Sequence, residues 1–257
     1  MKTSNKLLLA PIGLFLLFSL MGMIHFKNSL VPRGIGDGEH LIHGSGTLQK
    51  KVLPVSAFTK IEGKDGMEFE LVKGTEAVEI EAEENLLPYF ETKVEEGALS
   101  IAIKEGYSVR PSEDKPIKIH VGFQQLNKVN SFAGASIIMK DTATTERFRA
   151  DAHAGSNMTI LVKADYIKLE AHSGSDLQVK GTCNHLDATS HSAGDIKAFD
   201  LICKEVANVS SHSGANLYLT VNGIINASAH SGADIVYRGA PKQVNGHSHS
   251  GGNVRAD

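Results

Sequence analysis

The chain has no tryptophan, only two cysteines, and 6% aromatic residues in a length of 257. Few large rings argue against a broad sandwich core, and the lack of tryptophan weakens any sugar-binding reading that needs an aromatic platform. The 25 glycines suit many tight turns around a narrow interior. Positive charge is not in excess: the formal net charge is -3 and charged residues are 21%, so no nucleic-acid partner is expected. No CxxC-type zinc spacing occurs, and no cysteine stands near the N-terminus to carry a lipid. Nothing in the chain pairs a nucleophile with a base, so no catalytic residue and no cofactor are assigned.

What is present begins with an apolar run. Leu7 to Ile24 is 18 residues without a charge, preceded by Lys2 and Lys6. As a helix it would reach about 27 Å, just enough to span a bilayer core. No small-x-small cleavage site follows, so residues 1–29 read as an uncleaved anchor, with a cleaved export signal as the alternative. Residues 30–46 are a Gly-rich linker. Residues 47–125 read as a β-rich N-terminal part, with alternating strands at 67–72, 78–82, 90–95, 98–103 and 117–121 and a single helical turn near Glu83–Pro88. The acidic stretch from Glu79 to Glu84 reads as a solvated face.

Residues 126–257 carry the dominant signal. A six-residue phrase begins at Phe132, His153, His172, His191, His212, His230 and His249, at spacings of 21, 19, 19, 21, 18 and 19. Apolar residues alternate on both sides of each phrase. A fixed period of this size marks a solenoid, and period-2 apolar patterning marks strands. The expectation is an all-β parallel β-solenoid (β-helix) of about 19-residue coils, with an irregular β-rich N-terminal part and an N-terminal membrane helix.

Within each phrase the glycine (Gly155, Gly174, Gly214, Gly232, Gly251) is expected at a corner where a Cβ would obstruct the bend. Asp176, Asp195 and Asp234 are expected as left-handed turn residues bonding their own backbone, and the serines as inward-facing. His172, His191, His212 and His230 stand at one equivalent outward position. Stacked imidazoles fix register, and the same row is a candidate metal surface. Cys183 and Cys203 lie one period apart, so two readings stand open: a disulfide between neighbouring coils, or two reduced core fillers.

The His-Ser-Gly-Ala-Asp/Asn phrases, with Val55-Ser56-Ala57-Phe58-Thr59-Lys60-Ile61-Glu62 and Glu83-Glu84-Asn85-Leu86-Leu87-Pro88-Tyr89 upstream, resemble the head GIN domain family of autotransporter adhesins in Gram-negative cell envelopes. The resemblance covers about residues 45–257. It implies an exported β-helical domain with no catalytic residues to carry over. Nothing after Asp257 could form an outer-membrane barrel, so anchoring through residues 7–24 is expected. The functional expectation is an envelope-anchored binding module whose solenoid face meets a glycan or a protein, with self-association through the C-terminal end. The alternatives are a carbohydrate-active enzyme using the stacked aspartates, or metal binding by the histidine row.

Overall fold

A computed structural model describes residues 40–257, of which Ile42–Asp257 belong to one compact unit. The expected anchor at residues 7–24 and most of the linker lie outside the described residues. Among the described residues no helix is long and apolar enough to cross a membrane.

The N-terminal strands are β1 (His40–His43), β2 (Leu48–Leu53), β3 (Lys60–Gly63), β4 (Glu68–Lys73), β5 (Ala77–Glu83), β6 (Phe90–Glu95), β7 (Ala98–Ile103), β8 (Tyr107–Arg110) and β9 (Lys118–Phe123). They are followed by β10 (Lys128–Ser131), β11 (Ser136–Met139), β12 (Ala143–Ala152), β13 (Asn157–His172), β14 (Asp176–His191), β15 (Asp195–His212), β16 (Asn216–Val221), β17 (Ile224–His230), β18 (Asp234–Arg238), β19 (Gln243–His249) and β20 (Asn253–Ala256). The helical turn is present as a single 3-10 turn at Leu87–Tyr89.

Each phrase makes a corner from two consecutive left-handed residues. In the His172 phrase these are Ser173 (φ 56°) and Gly174 (φ 70°), and the other phrases repeat the pair. A hydrogen bond from the fourth residue to the first closes the turn, as from Gly194 N to His191 O at 3.1 Å. The corners are also bonded to one another: Gly155 N donates to Ser173 O, Gly174 N to Ser192 O, and Gly214 N to Ser231 O, each at 3.1 Å. Backbone pairing therefore runs through the bends.

Between corners the chain forms two parallel faces. The first stacks β7, β3, β10, β12, the second halves of β13, β14 and β15, then β17 and β19. The second stacks β9, β4, β11, the first halves of β13, β14 and β15, then β16, β18 and β20. Inward residues of the faces meet in columns. Phe69, Ile137, Met158, Leu177, Ile196, Leu217 and Ile235 form one; Val129, Ala150, Leu169, Ala188, Val209 and Ala227 form another, and all are buried. Each fully buried Leu or Ile contributes roughly 1.5–3 kcal/mol.

Three expectations need correction. The parallel stack begins upstream of residue 126, because β3 and β4 form a full rung around Lys64-Asp65-Gly66-Met67-Glu68-Phe69, where Asp65 and Gly66 are the left-handed pair. Asp176, Asp195 and Asp234 are not the left-handed residues; they open the strands after the corner, while a preceding pair takes the bend, Ser and Gly before Asp176 and Asp234 and Ser192 and Ala193 before Asp195. The phrase serine (Ser173, Ser192, Ser213, Ser231) is exposed. The buried corner hydroxyl comes instead from Ser131, Ser156, Ser175 or Ser211, bonded to a corner carbonyl.

The solvated face expected for Glu79 to Glu84 needs correction at Glu83, which is buried. Residues 74–126 interrupt the coil path between β4 and β10 and add antiparallel strands: β5 pairs β9 and β2, and β6 pairs β7. At the end of β5 the Glu83 side chain is buried, accepting from Ser112 Oγ (2.6 Å), Ser112 N (2.8 Å) and Gly46 N (2.5 Å). Gly44 lies so close that a Cβ there would sit 1.8 Å from the carboxylate. The Ser112 hydroxyl, then its amide, hold this carboxyl below its ordinary range despite the burial. A carboxylate with a lowered folded pKa stabilises fully above the unfolded value of about 4.3, and that contribution is lost as pH falls through the folded one.

Two measurements follow from these contacts. In the fourth corner Ala193 (φ 59°) takes the left-handed place that glycine holds elsewhere. An L-residue there costs about 1–2 kcal/mol and glycine's extra chain entropy returns about 0.5–1. Ala193→Gly should therefore raise stability by about 0.5–1 kcal/mol in urea melts. Gly174→Ala, whose Cβ would meet nothing within 4 Å, should lower it by a similar amount through the backbone alone. Glu83→Gln should speed amide exchange at Gly46 and Ser112 at pH 7, and the wild-type protein should approach the same state on acidification through its folded pKa, which lies below the unfolded value of about 4.3.

Candidate functional site

Outward residues are fixed in columns by the same register. The histidines form one of these: His172 pairs with His191, His191 with His212, His212 with His230, and His230 with His249. Ring centroids lie 4.9–5.9 Å apart from His153 to His249, and Phe132 continues the stack 5.3 Å beyond His153. The spacing follows the distance between coils. Two rings are held by hydroxyls, His191 Nδ1 to Ser192 Oγ at 2.6 Å and His230 Nε2 to Ser228 Oγ at 2.7 Å.

This geometry does not support the metal reading of His172, His191, His212 and His230. Rings stacked face to face carry their nitrogens side by side, whereas a metal needs them to converge. Among the described residues no group of three or more His, Cys, Asp or Glu side chains could hold a metal ion.

Asp176 and Asp195 of the aspartate column are likewise engaged within the fold. Asp176 and Asp195 are direct neighbours, an arrangement that would repel if left alone. Lys197 Nζ bonds Asp176, and Asn216 donates both its backbone N and its Nδ2 to Asp195 Oδ1 at 3.0 Å. Cys183 and Cys203 stand opposite each other in adjacent coils, both buried and both free thiols. The hydrogen bond to Cys203, reinforced by burial, pushes the Cys183 thiol far up, so it is protonated and unreactive at neutral pH.

Beside the histidines the first face carries complementary charge. Lys60, Lys128, Arg149 and Lys168 form one column, and Glu62, Asn130, Asp151 and Glu170 the next. Arg149 bonds Asp151 at 2.7 Å and Glu170 at 2.9 Å, while Lys168 reaches Glu170 at 3.0 Å. Further along, Asn208 donates to Asp187, Asn226 to Asn208 and Asn245 to Asn226 at 2.8–3.0 Å, a ladder of amides. The second face is regular except at Phe199-Asp200-Leu201. There an aromatic depression of about 430 Å³ opens, lined by Gln178, Lys197, Phe199, Asp200, Tyr218 and Arg238. The sequence reading missed it; the signal was the step from His191 to His212, 21 residues against the 19 before it.

Fold and surface together define a parallel β-solenoid with laddered outer faces. The chain belongs to the family described as "Putative auto-transporter adhesin, head GIN domain", whose model matches residues 57–241. Three solved structures share the fold. A putative adhesin from Bacteroides fragilis is 18% identical with a TM-score of 0.72, covering 84% of this chain and 100% of its own. A protein from Parabacteroides distasonis titled a putative lipid binding protein is 20% identical with a TM-score of 0.67, covering 85% and 100%. A putative adhesin from Parabacteroides merdae is 18% identical with a TM-score of 0.61, covering 84% and 99%. Comparison with curated protein sequences finds no match.

The histidine stack makes stability depend on pH. The His172 imidazole is held below its ordinary value first by burial and then by His153 and His191, against the pull of Glu170 and Asp151. That of His212 is lowered by burial and by His230 and His191. A base whose folded pKa is depressed contributes fully above its unfolded value of about 6.5, and that contribution is lost as pH falls below it. The Tm should therefore fall between pH 7 and pH 5. Replacing His172 and His212 by phenylalanine, the residue Phe132 already supplies to this column, should flatten that decline; an equally steep decline in the double variant would contradict the assignment.

Proposed function

We propose that the chain is a non-catalytic binding module of the adhesin type, exported and held in the bacterial cell envelope by residues 7–24. It presents the faces of its coil stack to a glycan or a protein. The observation that carries this reading is the continuity of those faces. Outward side chains stay in register along the stack, offering a long, level, locally charge-balanced surface. Such a surface suits contact with an extended partner better than enclosure of a reacting group. Family membership supports the same reading. Two of the carboxylates an enzyme reading would use are already engaged: Asp176 by Lys197, Asp195 by Asn216.

The test uses the full chain in detergent, immobilised and probed with glycan and envelope-protein arrays, alongside assays for polysaccharide cleavage. Retention of a partner without release of reducing ends is expected, unchanged in Asp195→Asn. Cleavage that disappears in Asp195→Asn would replace this reading with the enzymatic one.

A further inference from the structure

The depression on the second face lies where the coil register breaks on the outside. Across β15 and β16, Ala198 pairs with Leu219 but the next pair is Ile202 with Thr220, so Phe199, Asp200 and Leu201 have no counterparts. Toward β14 the register also slips, between Gln178 opposite Lys197 and Gly181 opposite Leu201. Ala198 and Leu201 both turn into the core. The extra length is taken up outside, where Phe199 is only half-buried and Asp200 is exposed. Thr220 Oγ1 bonds the Phe199 carbonyl at 2.7 Å and so satisfies the bulge.

The bulge faces a second aromatic and a guanidinium. The Phe199 and Tyr218 centroids are 5.3 Å apart with planes at 59°, and Arg238 Cζ lies 3.9 Å from the Phe199 ring. Stacked and tilted contacts of this kind fix the rings in place, giving a rigid apolar wall. Its volume of about 430 Å³ falls in the range of small-ligand sites.

Charge selects the ligand class. Each cation in or beside the depression has one carboxylate: Lys197 has Asp176, Lys180 has Asp200 at 3.2 Å, and Arg238 has Asp257 at 2.6 Å. The site is therefore balanced, and an anion gains little net attraction there. The paired groups nevertheless keep unused capacity. An ammonium has three donors, a guanidinium five, and a carboxylate about four acceptor positions; Gln178 and the Tyr218 hydroxyl add both kinds. A purely apolar ligand would strip water from all of these without replacing it. A ligand with an apolar C–H face and a rim of uncharged hydroxyls meets both requirements.

Building on the proposed binding role, we infer that this depression is a subsite for a neutral saccharide unit, laid against Tyr218 and Phe199 and hydrogen-bonded by Arg238, Lys197, Asp200 and Gln178. It replaces the tryptophan platform that the composition lacks with a Phe–Tyr–Arg cluster.

The experiment is titration calorimetry of the detergent-solubilised full chain with galactose-, glucose-, mannose- and N-acetylglucosamine-terminated oligosaccharides, and with sulfated and uronate oligosaccharides as charged counterparts. Binding of a neutral member is expected, weakened at least tenfold by Tyr218→Ala and by Arg238→Ala, and unchanged by Lys93→Ala on the N-terminal strands. Melting curves establish that each variant folds. Should Tyr218→Ala not fold, Tyr218→Phe and Arg238→Gln probe the same hydroxyl and guanidinium with the ring wall retained. Neutral saccharide binding that is indifferent to these variants would overturn the site and leave the adhesin reading standing. Retention of only charged saccharides or only proteins would overturn the ligand class and again leave that reading. Retention of nothing on any array would remove both.

Discussion

Hydrogen bonds between successive corners set everything else in this molecule. A pair of left-handed residues turns the chain, and the amide of the second bonds the carbonyl of the first in the next coil. The bend is thus part of the ladder, and the pairing on one face is tied to the pairing on the other. Because side chains alternate with a period of two, a one-residue slip would expose the whole core column. A slip would also break every corner bond. That double constraint explains how coils of unequal length keep equivalent residues in line: the differences accumulate away from the corner, as at Phe199, and the corner itself does not move.

Register of this kind stacks like upon like, which favours some side chains and opposes others. Leucine and isoleucine gain, since identical shapes pack into continuous columns. Imidazoles gain while neutral and lose when charged. Lysine and aspartate columns are unfavourable on their own, and the molecule offsets each with a neighbour. Arg149 is flanked by Asp151 and Glu170, Asp176 by Lys197, and Asp195 by an amide. The exterior is therefore a set of columns that neutralise one another sideways.

Much of this is legible in the amino-acid sequence. Seven phrases announced the coils, alternation announced the inward columns, and equivalence of position announced the histidine stack. The eighth corner at Lys64–Phe69 was not legible, because residues 74–126 separate it from its neighbour and erase the period. Which phrase residue turns left-handed was misjudged because serine and alanine rarely do so; here the inter-corner bonds hold them there, as they hold Ala193. Glu83 looked like the other glutamates of its strand, and only the return of Gly46 and Ser112 over it makes it a buried anion. Phe199 read as one more residue in an apolar stretch, since a bulge leaves no mark beyond a coil slightly too long.

The distinction between ladder and bulge bears on recognition. A surface that repeats every coil offers a partner several nearly equivalent positions one strand spacing apart, so an extended ligand could engage it in many registers with similar energy. Repetition supplies contact area and, through many weak contacts, avidity, but it does not define a single pose. A feature that occurs once does. Phe199, Tyr218 and Arg238 come together at one coil because the extra residues occur in one coil. Specificity requires a difference in affinity between alternatives, and on a solenoid the alternatives include the ligand's own shifted positions. On the proposed binding role, the break in the repeat is therefore where discrimination is to be sought, and the unbroken columns are where contact area accumulates.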